Sequence, residues 1–93
     1  MIHVELNEIG REIIHRCAPN ASVARLQTIG RPVDLGRGHS LHRLNVVDAR
    51  TGVTLVDDAA HLVIDACGGF ELFENSDDEP TSVSRGHLLD FAH

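Results

Sequence analysis

Residues 41–48 (Leu-His-Arg-Leu-Asn-Val-Val-Asp) and 53–57 (Val-Thr-Leu-Val-Asp) mix apolar and polar side chains with the short period of strands, and Ala49-Arg50-Thr51-Gly52 separates them. No other feature constrains the fold as much. Alternation sends successive side chains to opposite sides of a strand. Gly52 supplies a left-handed backbone at little cost, which a tight reversal needs. The segment therefore reads as an antiparallel hairpin with one buried and one solvated face.

The rest of the chain is assigned around that hairpin. Residues 22–29 read as a strand closed by Gly30 and Pro32, and Gly30, Pro32, Gly36 and Gly38 make 30–40 a mobile connection. Ile2, Val4 and Leu6 alternate, which predicts a short strand over 2–6, with Asn7 capping a helix over 8–17. The stripe at 2, 6, 9, 13 and 17 fits one helix over 2–17 as an alternative. Gly10 weakens either helix by about 1 kcal/mol relative to Ala.

Asp57-Asp58 offers an N-cap to a second helix whose apolar face is Ala59, Leu62, Val63, Ala66 and Cys67, and Gly68-Gly69 stops it. Phe70–Phe73 is a last short strand, and 75–85 reads as acidic loop. The expected architecture is one small α+β domain: four to five short, mainly antiparallel strands with two helices packed on one face. Residues 1–74 form its compact part. Residues 75–93 form an acidic loop and a short apolar end (Leu88, Leu89, Phe91).

Composition narrows the function. The 93 residues carry 8 basic and 14 acidic side chains, a net charge of -6, and every basic residue is Arg. A usual nucleic-acid binder is basic, and a Walker motif needs Lys, so neither class is favoured. With no Trp or Tyr and three Phe, stacking platforms for bases are excluded. No apolar stretch is long enough to span a membrane, and no basic-then-apolar start marks a secretory signal. A cytoplasmic protein with Cys17 and Cys67 as buried free thiols is expected, with a single bridge left open.

The charge is unevenly placed. Residues 1–50 hold seven Arg and five acids, whereas residues 51–93 hold Arg85 alone against nine acids. Arg25, Arg31, Arg37, Arg43 and Arg50 are either a phosphate-tracking stripe or the counter-surface for the acidic half.

Reactive constellations are incomplete. Gly38-His39-Ser40-Leu41-His42 resembles part of a nucleophile elbow, but His42 stands where the second glycine belongs. Asp57, His61 and Asp65 share one face if 57–65 is helical, a geometry that can seed a divalent site. No HExxH, CxxC or EF-hand spacing supports a metal. No cofactor is expected.

The favoured reading is a non-enzymatic module that regulates or inhibits a protein partner with a basic surface. Glu71, Glu74, Asp77, Asp78 and Glu79 supply the charge, and Leu88, Leu89 and Phe91 supply apolar anchors. Small acidic chains of this kind occur among phage and mobile-element inhibitors, including anti-CRISPR and anti-restriction proteins, and among immunity proteins. The alternatives are a small His/Asp metal-dependent enzyme and an Arg-mediated nucleic-acid binder. An exposed sheet edge also permits a homodimer.

Overall fold

A computed structural model describes residues 2–76 and 79–87. Two short helices come first, α1 (Ile2–Ile9) and α2 (Arg11–Cys17). Five strands follow: β1 (Ala24–Gly36), β2 (His39–Asp48), β3 (Thr54–Ile64), β4 (Gly69–Glu74) and β5 (Thr81–His87). They form one antiparallel sheet in the order β1-β2-β3-β4-β5, so neighbours in sequence are neighbours in space. The five-stranded sheet and the two helices agree with the expectation. The molecule is mostly sheet, however, and one helix lies elsewhere than predicted.

The strand expected over 2–6 is helical, because the 3.6-residue stripe prevails over a three-position alternation. Leu6 and Ile13 are fully buried, and Ile9, Ile14 and Cys17 pack beside them. Gly10 separates α1 from α2, yet hydrogen bonds continue across it, from Gly10 N–H to Leu6 O (2.7 Å) and from Ile14 N–H to Gly10 O (3.0 Å). A Cβ at Gly10 would collide with the Leu26 side chain. The glycine thus gives up helix propensity for a close approach of helix to sheet. Asn7, expected as a helix cap, instead accepts the backbone N–H of Leu26 at 2.9 Å and ties α1 to β1.

The helix expected over 59–67 is strand. Leu44 pairs with Ala60 and Val46 with Val56, so β3 carries two residues more than β2 between these pairs. This bulge brings Ala59 into the core beside Ala60 and Leu62, and the resulting spacing imitates a helical face. Asp58, read as a cap, sits in the bulge with φ 51° and donates its N–H to Asn45 Oδ1 at 2.7 Å. Gly68, read as part of a helix stop, has φ 86° in the β3–β4 turn.

Two loop assignments also give way to strands. Most of 30–40 is strand, and its reversal is Arg37-Gly38, with φ 56° and 79°. Gly36 before them is left-handed as well, at φ 85°, and the two central positive φ values match the twist of a two-residue hairpin. Residues 81–85, expected as part of the acidic loop over 75–85, form β5 together with Gly86 and His87 on the far side of β4.

The core lies between the helices and one sheet face. Its rows are Leu26 opposite Val46, Leu44 opposite Ala60, and Leu62 opposite Leu72, all fully or almost fully buried. Each buried leucine contributes about 1.5–3 kcal/mol. At the β1 edge, Pro32 and two breaks in register blunt a surface that would otherwise accept another strand. Both cysteines are free as expected, but only Cys17 is partly buried; Cys67 is exposed in the turn. Among the described residues, no helix is long and apolar enough to cross a membrane.

Candidate functional site

Strand parity places the odd-numbered side chains of β2 away from the helices. Three rows can be followed across this face, on which no helix lies among the described residues. The first runs Ile29, Arg43, His61, Phe73 and Ser82, and the second runs Val33, Leu41, Val63, Glu71 and Arg85. The third lies at one end, where His39, Asp65 and His87 border a shallow cleft of about 410 Å³.

The first row is organised by the β3 bulge. Arg43 holds the Asp58 carboxylate with Nη2–Oδ2 at 2.7 Å and Nε–Oδ1 at 3.3 Å. Asn75 Nδ2 donates to the Asp58 carbonyl at 3.0 Å, which turns Asn75 Oδ1 toward His61 Nδ1 at 2.7 Å. His61 therefore donates from Nδ1 to Asn75 Oδ1. Its ring stacks on Phe73 with centroids 4.8 Å apart and planes 10° apart. Asn75 carries this arrangement: the β3–β4 pairing sets it beside His61 and the bulge brings Asp58 to it, so no sequence spacing marks it.

In the second row, Glu71 takes Arg85 Nη2 at 3.2 Å on the neighbouring strand. Val33, Leu41 and Val63 form the apolar part, and Val33 is half exposed. In the third row the Asp65 carboxylate accepts the N–H groups of Cys67 and Gly69, each at 2.8 Å. It lies over Gly69, where any Cβ would meet Asp65 Oδ2 at 2.5 Å. These two N–H bonds hold Asp65 below the usual carboxylate range, and His39 and His87 add smaller attractions.

The predicted acidic set is divided. Glu71 is paired with Arg85. Glu74 is paired with Arg16 of α2, whose Nη2 lies 2.5 Å from Oε1. Glu79 is exposed, and Ser76 Oγ bonds its backbone carbonyl. Asp77, Asp78, Leu88, Leu89 and Phe91 lie outside the described residues. Of the five arginines, only Arg43 meets a carboxylate of the acidic half, Asp58, among the described residues, while Arg50 bonds Ser22 Oγ at 2.8 Å and stands 4.0 Å from Asp48. Arg25, Arg31 and Arg37 have no carboxylate partner among the described residues.

Neither reactive constellation assembles in full among the described residues. Ser40 Oγ and His42 Nε2 share a hydrogen bond of 3.0 Å, and burial holds the His42 imidazole below its usual range. Asp34, directly opposite Ser40, instead accepts the N–H of Gly36 at 2.8 Å. Asp57, His61 and Asp65 do not share a helix face as expected, because β3 is extended. Four residues of strand span about 13 Å. No group of three His, Cys, Asp or Glu side chains among the described residues converges on a metal position.

Comparison with protein-family models, with curated proteins and with solved structures returns no match.

Proposed function

We propose that this protein is a non-enzymatic binding module that engages a protein partner bearing a basic surface, as an inhibitor that offers carboxylates to a site made for phosphates would. One observation supports this reading. Because the strand order repeats the sequence order, Arg25, Arg31, Arg37 and Arg43 lie in the β1–β2 part of the sheet, whereas Glu71, Glu74 and Glu79 lie at the β4–β5 side. A charge imbalance along the sequence thereby becomes a charge imbalance across the surface. Such a surface steers an oppositely charged partner and sets its orientation.

The internal ion pairs sharpen the assignment. Arg85 and Arg16 already claim Glu71 and Glu74, so these two are the weaker contributors. The recognition charge falls on the β4–β5 connection, with Glu79 exposed there and Asp77 and Asp78 beside it in sequence. The test is capture from native-cell extract by wild type and by the triple variant Asp77→Arg, Asp78→Arg, Glu79→Arg. A protein held by wild type, lost with the triple variant, and released between about 50 and 500 mM salt is expected. Equal retention by both proteins at all salt concentrations would refute the acidic surface.

A further inference from the structure

The cleft at the end of the sheet holds a carboxylate oxygen that the fold fixes in place but does not use. Asp65 Oδ1 accepts both turn N–H groups, those of Cys67 and Gly69, each at 2.8 Å. Oδ2 has no hydrogen-bond partner among the described residues, and it stands over Gly69, where a side chain would otherwise rise. The Asp65 N–H bonds the Gly69 carbonyl at 2.8 Å, and Gly69 pairs with His87, so the site crosses β3, β4 and β5. His39 borders it on the β2 side, and Val63 lines it. From these features we infer that the cleft takes the ammonium group of a lysine side chain of the protein partner, with Asp65 Oδ2 as its acceptor. The choice of a lysine rests on the basic surface proposed above for that partner.

Charge and coordination chemistry select the ligand. Glu71 and Arg85, which also line the cleft, pair with each other at 3.2 Å. With the two imidazoles neutral, Asp65 is then the unbalanced charge among the lining residues, and it favours a cation. A divalent metal ion asks for several oxygen ligands, and no three suitable side chains converge among the described residues. An arginine is matched best by a carboxylate that offers both oxygens, but here Oδ1 is already engaged by two N–H groups. An ammonium is a compact charge that a single oxygen can hold, and its aliphatic stem can lie along Val63.

The site is prepared before any ligand arrives. The two N–H bonds keep the carboxylate ionised and fix its direction, so binding orders little of this chain. The cleft measures about 410 Å³, within the range of clefts that hold small ligands. It lies at the end of β4 and β5 opposite to the connection that carries Glu79, one strand length or roughly 20 Å away. A partner with an interface of standard size, roughly 800 Å² per side, reaches both.

The test is a nuclear magnetic resonance titration of the intact, isotope-labelled chain at about pH 8, above the ordinary histidine range. The probes are blocked tripeptides with lysine, norleucine or arginine between two glycines. The lysine peptide is expected to shift the amide resonances of Cys67 and Gly69 along a saturating curve, and the norleucine peptide to leave them in place. Asp65→Asn keeps an oxygen for both N–H groups and removes the charge, so it is expected to abolish the saturating shift. Should Asp65→Asn fail to fold, the lysine and norleucine peptides on wild type decide. The site is overturned by shifts that do not saturate, by an equal response to norleucine, or by a folded Asp65→Asn that binds the lysine peptide as wild type does. An arginine peptide that binds more tightly than the lysine peptide would overturn the choice of an ammonium. These titrations need no partner, so their failure is distinct from a failure of the capture experiment.

Discussion

Single residues hold the turns of this sheet in place, and their chemistry is testable one at a time. Asp65 caps the β3–β4 turn through the N–H groups of Cys67 and Gly69. Its folded pKa is lowered, so the folded state binds its proton less readily than the unfolded chain does. The resulting stability is present above the unfolded carboxylate value, near 3.9, and is lost as pH falls through the lower folded value. Denaturant titrations between about pH 2 and pH 5 are therefore expected to show a steeper acid loss in wild type than in Asp65→Asn. Equal slopes would remove the charge of Asp65 from the turn's stability. Arg37 occupies the left-handed region at φ 56°, where a β-carbon is crowded. Arg37→Asn is expected to stabilise by about 0.5–1 kcal/mol, read as a higher denaturant midpoint with an unchanged slope. Gly38 beside it has φ 79° and faces Ala66 so closely that a Cβ would lie 2.5 Å from the Ala66 Cβ, so it offers no such gain.

At the scale of elements, the hairpin of β2 and β3 was legible because its alternation and its Gly-containing link agree. The N-terminal helix was legible only as one of two readings, and burial of Leu6 and Ile13 on one stripe decides between them. The strand character of 59–64 was not legible. Two extra residues in β3 place Ala59 and Ala60 side by side in the core, so buried spacing ceases to report the local period. Strand β5 was hidden for another reason: Thr81-Ser-Val-Ser-Arg-Gly-His has little apolar content, and it is a strand because β4 offers it an edge. Leu62 stands at the centre of the misread segment, fully enclosed between β2 and β4 and directly opposite Leu72. Leu62→Ala is expected to cost about 2–5 kcal/mol, as a core strand position does. Thermal unfolding would show this as a drop of several degrees per kcal/mol. A loss below about 0.5 kcal/mol would place Leu62 outside the core.

For the whole molecule, the meander is the decisive property. With no crossover, it maps the order of charges in the chain onto the order of charges across the sheet. Among the described residues, both helices precede the first strand and pack on the same side of the sheet. The acidic segment expected as a uniform surface is thereby subdivided. Glu71 and Glu74 are drawn into ion pairs that, being exposed or half-exposed, contribute little stability but do cancel charge. The carboxylates left to meet a protein partner follow from the same arrangement.

The sequence by itself determined the antiparallel hairpin, the helical start as one of two alternatives, and the segregation of charge, because period, turn chemistry and charge are properties of neighbours along the chain. Tertiary structure alone decided the third, fourth and fifth strands' register and the pairing of Glu74 with Arg16 across 58 residues. It also decided the linkage of Arg43, Asp58, Asn75 and His61. Those contacts form between groups distant in the chain, and a bulge that shifts two residues leaves no periodic trace by which to foresee them.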